Sequence, residues 1–206
     1  VKDYRGVIGI SLAEHTVSRS RFIGTAINVS DALEAQEFIK GIKSEYSDAT
    51  HNCYAYALIS GEQKFSDDGE PQSTAGQPIL EVIKKKNLFN TAVVVTRYFG
   101  GVKLGTGGLV AAYTKAAADC LEKAEIAEFK LSDYVKVSGD YSLKGRLEQV
   151  IRTAGGEIVE TIYLSAVEIT FAIPTGSLEY ALDGIAAVSS GQAETKVLYR
   201  KYYIYK

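Results

Sequence analysis

The chain has 206 residues, 46% of them hydrophobic, which is enough to bury the core of one large domain or two small ones. Its 23 basic and 25 acidic residues leave a net charge of −2, spread evenly: 15 against 16 up to residue 130 and 8 against 9 after it. No global field therefore draws it to nucleic acid or an anionic membrane, and no apolar run reaches membrane-spanning length. Two cysteines, Cys53 and Cys120, lie far apart without metal-ligand spacing, the pattern of reduced thiols in a cytosolic protein. No cationic stretch followed by an apolar one opens the chain, so a cytoplasmic location is expected. The sequence holds no methionine, an initiator included.

The first elements read as a hairpin, Gly6–Leu12 and Thr16–Val29, with a polar break at Ala13–His15. Arg19 and Arg21 fall at i and i+2 of the second strand and would share a face. Ser30 or Asp31 caps a helix whose stripe is Leu33, Phe38, Ile39 and Ile42, with Glu34 close to a capping box. His51–Ile59 alternates as a strand. Gly61–Gln77 is the longest irregular stretch, and Pro78 opens a helix that ends in Lys84-Lys85-Lys86, cations that complement the macrodipole.

Ala92-Val93-Val94-Val95 marks a buried strand within Thr91–Tyr98, followed by RYFGGVKLGTGG and an alanine-rich helix, Leu109–Lys123. Five of 19 glycines fall between Gly100 and Gly108. Such a cluster needs positive φ angles or a group approaching the backbone closely. Two readings stand. A strand, a glycine loop and a helix N-terminus present free N–H groups, so Arg97, Lys103, Gly105, Thr106, Gly107 and Gly108 would receive an anion, with Thr106 near the N-cap position. Alternatively the loop only turns sharply, its glycines set by packing. Neither the phosphate-loop pattern nor the dinucleotide fingerprint is met, and no cofactor is expected.

A short strand near Ala124–Phe129 closes the first domain, residues 1–130. Residues 131–206 then read strand (Tyr134–Asp140), helix (Leu143–Ala154), strand (Glu157–Leu164), strand (Ala166–Ile173), helix (Ser177–Val188) and strand (Ala193–Tyr205). This βαββαβ order is the ferredoxin-like arrangement, and the fold class is α+β with two domains. Val167, Ile169, Phe171 and Ile173 form the face the helices should cover, leaving the other face open. On the last strand Tyr199, Lys201, Tyr203 and Tyr205 share a face. Aromatics mixed with cations on an open sheet are how RNA-recognition sheets stack bases, although such residues also serve to pack domains together.

Asp67, Asp68 and Glu70 place three carboxylates within four residues. They fit a magnesium site, general acid–base work, or an exposed acidic turn ion-paired with Arg97 and Lys103. His51 and Cys53 share a strand face, which suggests either a nucleophilic pair or a histidine hydrogen-bonded at the mouth of a site. The acidic loop and the glycine loop are expected to face one another across one cleft.

Three blocks, ATHNCYAY at Ala49–Tyr56, SDDGEPQSTAGQP at Ser66–Pro78 and RYFGGVKLGTGGLVAAY from Arg97, together resemble the IMPACT/YigZ family in order and spacing. The C-terminal third also resembles that family's second domain. One departure stands out: the family usually reads GGLxRAY, and here the arginine position is Ala111. The resemblance implies a first domain with the ribosomal S5 domain 2-like fold, a ferredoxin-like second domain, and a regulatory role linked to translation. Its partners would be the ribosome, RNA or a translation-associated protein, and not a membrane. An enzyme acting on a phosphorylated small molecule between the DDGEP and glycine loops, or a protein-interaction module, are the other classes. Oligomeric state is not legible.

Overall fold

The computed structural model describes residues 3–205, which pack as two units, one Tyr4–Ala127 and the other residues 128–205 with Asp3. Both mix helices with an antiparallel sheet, so the architecture is α+β. No helix among the described residues is long and apolar enough to cross a membrane.

The first unit runs β1 (Tyr4–Ile8), β2 (Ile10–Val17), β3 (Ser20–Asn28), α1 (Ala32–Glu45), β4 (His51–Ala57), β5 (Gln63–Ser66), α2 (Gly76–Lys85), β6 (Thr91–Tyr98) and α3 (Gly105–Lys123). Its sheet has the order β2-β3-β6-β4-β5, antiparallel throughout. Helix α1 covers one face through a core that includes Ile39, Tyr56 and Val94. Helices α2 and α3 cover the other, where Phe22, Cys53, Val95, Ile79 and Tyr113 meet. Because alternate residues of β6 serve opposite cores, its centre, Ala92–Val95, reads as an unbroken apolar run rather than an alternation. The alanines of α3 let it approach the sheet closely: a Cβ on Gly24 of β3 would lie 2.5 Å from the Ala116 carbonyl oxygen.

The hairpin turns at Ser18 and Arg19, not at Ala13–His15, and both turn residues take positive φ, 45° and 67°. Two-residue hairpin turns favour that conformation because its twist matches the strands, but without glycine or asparagine the sequence gives no sign of it. Arg19 therefore sits in the turn, while Arg21 on β3 bonds Glu14 across the pair at 2.7 and 2.8 Å. Strand β5 lies inside the stretch expected to be irregular, its short QKFS run too exposed to show a pattern. Asp31 does cap α1, accepting from the Glu34 amide at 2.9 Å, while the Glu34 carboxylate reaches back to the Ser30 amide.

The second unit contains β7 (Glu125–Gly139), α4 (Lys144–Thr153), β8 (Glu157–Tyr163), β9 (Val167–Pro174), α5 (Leu178–Ser189) and β10 (Glu194–Tyr203), in that order. Strand β7 is continuous over 15 residues, so the short strand expected near Ala124–Phe129 and the strand expected at Tyr134–Asp140 are one element. Among these strands β10 pairs β7, β7 pairs β9 and β9 pairs β8, all antiparallel. Val135, Val137, Ile169, Phe171 and Ile173 pack with Leu147, Ile151, Ala181 and Ile185 of the two helices. The other sheet face is left uncovered by helices of this unit.

Candidate functional site

The loop between β5 and α2 carries the three carboxylates, and each is directed to a different partner. Asp67 accepts from the amides of Ser73, Ala75 and Gly76 at 2.8, 3.0 and 2.8 Å, so it caps α2, whose formal N-cap Ala75 offers no side chain for the task. Asp68 accepts from Lys43 Nζ at 2.5 Å and from the Asn52 amide at 2.7 Å. Burial works to raise its pKa, but these two donors outweigh it and hold the carboxyl below the ordinary value. Glu70 turns inward, its side chain only 4% exposed, and takes Arg97 Nη1 at 2.5 Å and the Tyr113 hydroxyl at 2.8 Å. Three carboxylates adjacent in sequence thus do not converge, and no group of three or more His, Cys, Asp or Glu is placed to hold a metal among the described residues.

Arg97 is correspondingly not a free cation over the glycine loop. It sits on β6 with a side chain 6% exposed, paired to Glu70, within 3.4 Å of Ser20 Oγ and 5.5 Å from the Phe22 ring centroid. A buried pair of this kind persists because removing either partner strands the other charge. Lys103 remains exposed. Thr106 is not the N-cap of α3: the helix starts one residue before it, at Gly105, after Leu104, and has no side-chain cap. The loop glycines serve separate ends. A Cβ at Gly100 would lie 2.0 Å from the Arg19 backbone, whereas Gly101 and Gly105 carry φ of 83° and 71°. A pocket of about 390 Å³ has Glu70, Pro71 and Arg97 on its wall together with Lys103, Gly105 and Thr106. Asp67 and Asp68 do not line it.

His51 and Cys53 do not form a nucleophilic pair. His51 Nδ1 lies 2.8 Å from the Asp68 carbonyl oxygen, and its Nε2 lies 3.9 Å from Glu70 Oε1. A donor at Nδ1 leaves Nε2 without a proton in the neutral ring. The one S–H of Cys53 instead donates to the Asp67 carbonyl, 3.0 Å away, and its sulfur lies 3.4 Å from Tyr113 Oη. Burial pushes its thiol up to about 12, so it stays protonated.

In the second unit, register assigns Tyr199, Lys201 and Tyr203 to one face: they pair with Tyr134, Ser132 and Lys130 of β7, after a bulge at Leu198 that shifts β10 from its pairing at Val197. Val135 and its neighbours on the helix side lie on the other face. The Tyr134 and Tyr199 rings stack at 4.6 Å, and Tyr203 meets both Tyr134 and Tyr205 edge-on. Tyr199 keeps 53% of its surface exposed. Tyr203 is tied down by its hydroxyl, which donates to Glu157 at 3.1 Å.

The family model described as "Impact N-terminal domain" matches residues 18–121, and a second, "Domain of unknown function (DUF1949)", matches residues 137–192. The chain is 40% identical over 185 residues to the IMPACT family member YvyE of Bacillus subtilis, covering 89% of this chain and 85% of that protein. It belongs to the IMPACT family. It is also 30% identical to the IMPACT family member YigZ of Escherichia coli, covering 86% of this chain and 89% of that one. A solved structure titled "Crystal structure of an hypothetical protein" matches with a TM-score of 0.67 at 25% identity, over 97% of this chain and 98% of its own.

In this IMPACT-family chain the three sequence blocks meet through Glu70. His51 comes from the first block, Glu70 from the second, and Arg97 and Tyr113 from the third. Sequence reasoning missed Tyr113, Lys43 and Tyr134. A tyrosine inside an alanine-rich buried stripe is itself a signal, since its hydroxyl must find a partner. Lys43 and Tyr134 carry no such mark, because only the chain's folding brings them to Asp68 and Tyr199.

Proposed function

We propose that this protein acts in translation by holding single-stranded RNA on the open face of its second unit. We further propose that its units have the S5 domain 2-like and ferredoxin-like folds expected of the family. The βαββαβ element order and the pairing of β10 with β7, β7 with β9 and β9 with β8 support the latter. The observation that carries the RNA reading is the exposed Tyr199 ring, backed by Tyr134, beside Lys201 on a sheet face free of helices. Every base has a π-face, so such a platform accepts sequence broadly, while lysines meet phosphates. With a net charge of −2, any contact with RNA must be local, as this face is. The enzyme reading has less support: Asp67 and Asp68 are engaged by their own neighbours, and Cys53 is held protonated.

Ribosome co-sedimentation over a salt series tests the proposal. Retention should fall steeply with salt, as counterion release requires, and Tyr199→Ala should cost about 1–3 kcal/mol of RNA affinity, the worth of one stacked base. Retention that ignores both salt and Tyr199→Ala would point to an apolar protein contact instead.

A further inference from the structure

The pocket beside the glycine loop is not used by the RNA reading, and its chemistry is specific. At one end stands the N-terminus of the 19-residue helix α3, with no side-chain cap and no acidic residue in its first turn. The amides of Gly105, Thr106 and Gly107 have no intrahelical acceptor available to them. Lys103 stands at the same end, exposed. Behind them is Arg97, more than nine-tenths buried and lining the pocket, whose Nε has no hydrogen-bond partner among the described residues. The Glu70 carboxylate on the same wall is neutralised by Arg97, so Lys103 and the helix dipole leave the pocket net positive. Pro71, Phe99, Leu104 and Leu109 supply an apolar wall, with Phe99 46% exposed.

Gly107 sharpens the case. It does not adopt positive φ, and a Cβ there would meet nothing within 4 Å. Neither of the demands that explain Gly100, Gly101 and Gly105 applies to it, although glycine within a helix costs about 1 kcal/mol relative to alanine. Its presence leaves the first turn bare.

We propose that this pocket binds a small phosphomonoester with an apolar or aromatic body. The free amides of Gly105 and Thr106 and the Lys103 ammonium, all on the pocket wall, are three donors that match the three terminal oxygens of a phosphate better than the two of a carboxylate. The apolar wall would take the body, and the volume of about 390 Å³ suits a ligand of that size.

Titration calorimetry on the full chain, with phenyl phosphate, benzoate and inorganic phosphate as probes, tests this. Phenyl phosphate should bind most tightly of the three. Lys103→Ala, at an exposed position, should weaken it about tenfold, the loss of one charge-assisted hydrogen bond. Gly107→Asp should raise the melting temperature, because a first-turn carboxylate favours the helix dipole, and should abolish phenyl phosphate binding by charge. The proposal is overturned if the native chain fails to bind phenyl phosphate at millimolar concentration. It is equally overturned if benzoate binds as well as phenyl phosphate, or if both variants bind as the native chain does.

Discussion

The first unit's sheet is covered by helices on both faces, the second unit's on one, and polar side chains follow that difference. In the first unit a charge that turns inward is wrapped by named partners: Glu70 takes Arg97 and Tyr113, and both members of its ion pair are less than 7% exposed. In the second, ion pairs such as Lys136–Glu168, at 3.0 Å, lie on the open face with 37% and 24% of their side chains in solvent. Buried networks fasten strands to helices, because an unpaired member is costly there. An open face can leave side chains for an outside partner without that cost. The same residue types thus fasten elements where both faces are covered and, on the open face, stay within reach of solvent.

The largest effect follows directly. Glu70→Ala should destabilise the protein by about 3–5 kcal/mol, since it leaves Arg97 buried without its counter-charge. Glu168→Ala, removing a partly exposed pair, should cost no more than about 1 kcal/mol. Urea unfolding of the two variants measures both. Equal costs would mean that burial does not separate the two units in the way argued.

A smaller effect concerns the acidic loop. Asp67→Ala removes three hydrogen bonds at the start of α2 and should cost about 2 kcal/mol, the upper end for a helix cap. Tyr203→Phe removes one hydroxyl contact on the open face, to Glu157, and should cost about 1 kcal/mol or less. Thermal melts rank the two, and a reversed order would remove Asp67 from the fastening role.

How far the sequence was legible depended on the same contrast. The helices and the long strands carry their periodicity in the apolar residues, and β6 could be read from Ala92–Val95, whose side chains fill cores on both faces. Glu70 was visible as part of an acidic cluster but not as the one that turns inward, since Asp67 and Asp68 are chemically equivalent to it in sequence. What divides them is the distant chain that arrives: Lys43 for Asp68, Arg97 for Glu70, and the amides of α2 for Asp67. The Ser18–Arg19 turn was hidden because two non-glycine residues adopt positive φ there, held by the pairing of β2 with β3.

The smallest expected effect tests an exception to the rule that buried polar groups in the first unit are paired. His15 on β2 is 11% exposed at its side chain and stacks on Phe22 at 5.4 Å, yet neither ring nitrogen has a hydrogen-bond partner among the described residues. Burial lowers its pKa, and Lys115 adds to that, against the pull of Asp119 at 3.8 Å. A histidine whose folded pKa is depressed takes up its proton more readily when unfolded. Its contribution is therefore fully present above the unfolded value of about 6.5 and is lost as pH falls below it. His15→Phe keeps the stack and removes the titration, so the stability difference between the variant and the native chain should grow in the variant's favour as pH drops from 7.5 to about 5. Urea midpoints at a series of pH values follow that difference. A constant gap across the range would show that His15 is not titrated by folding, and that the first unit tolerates this imidazole in either charge state.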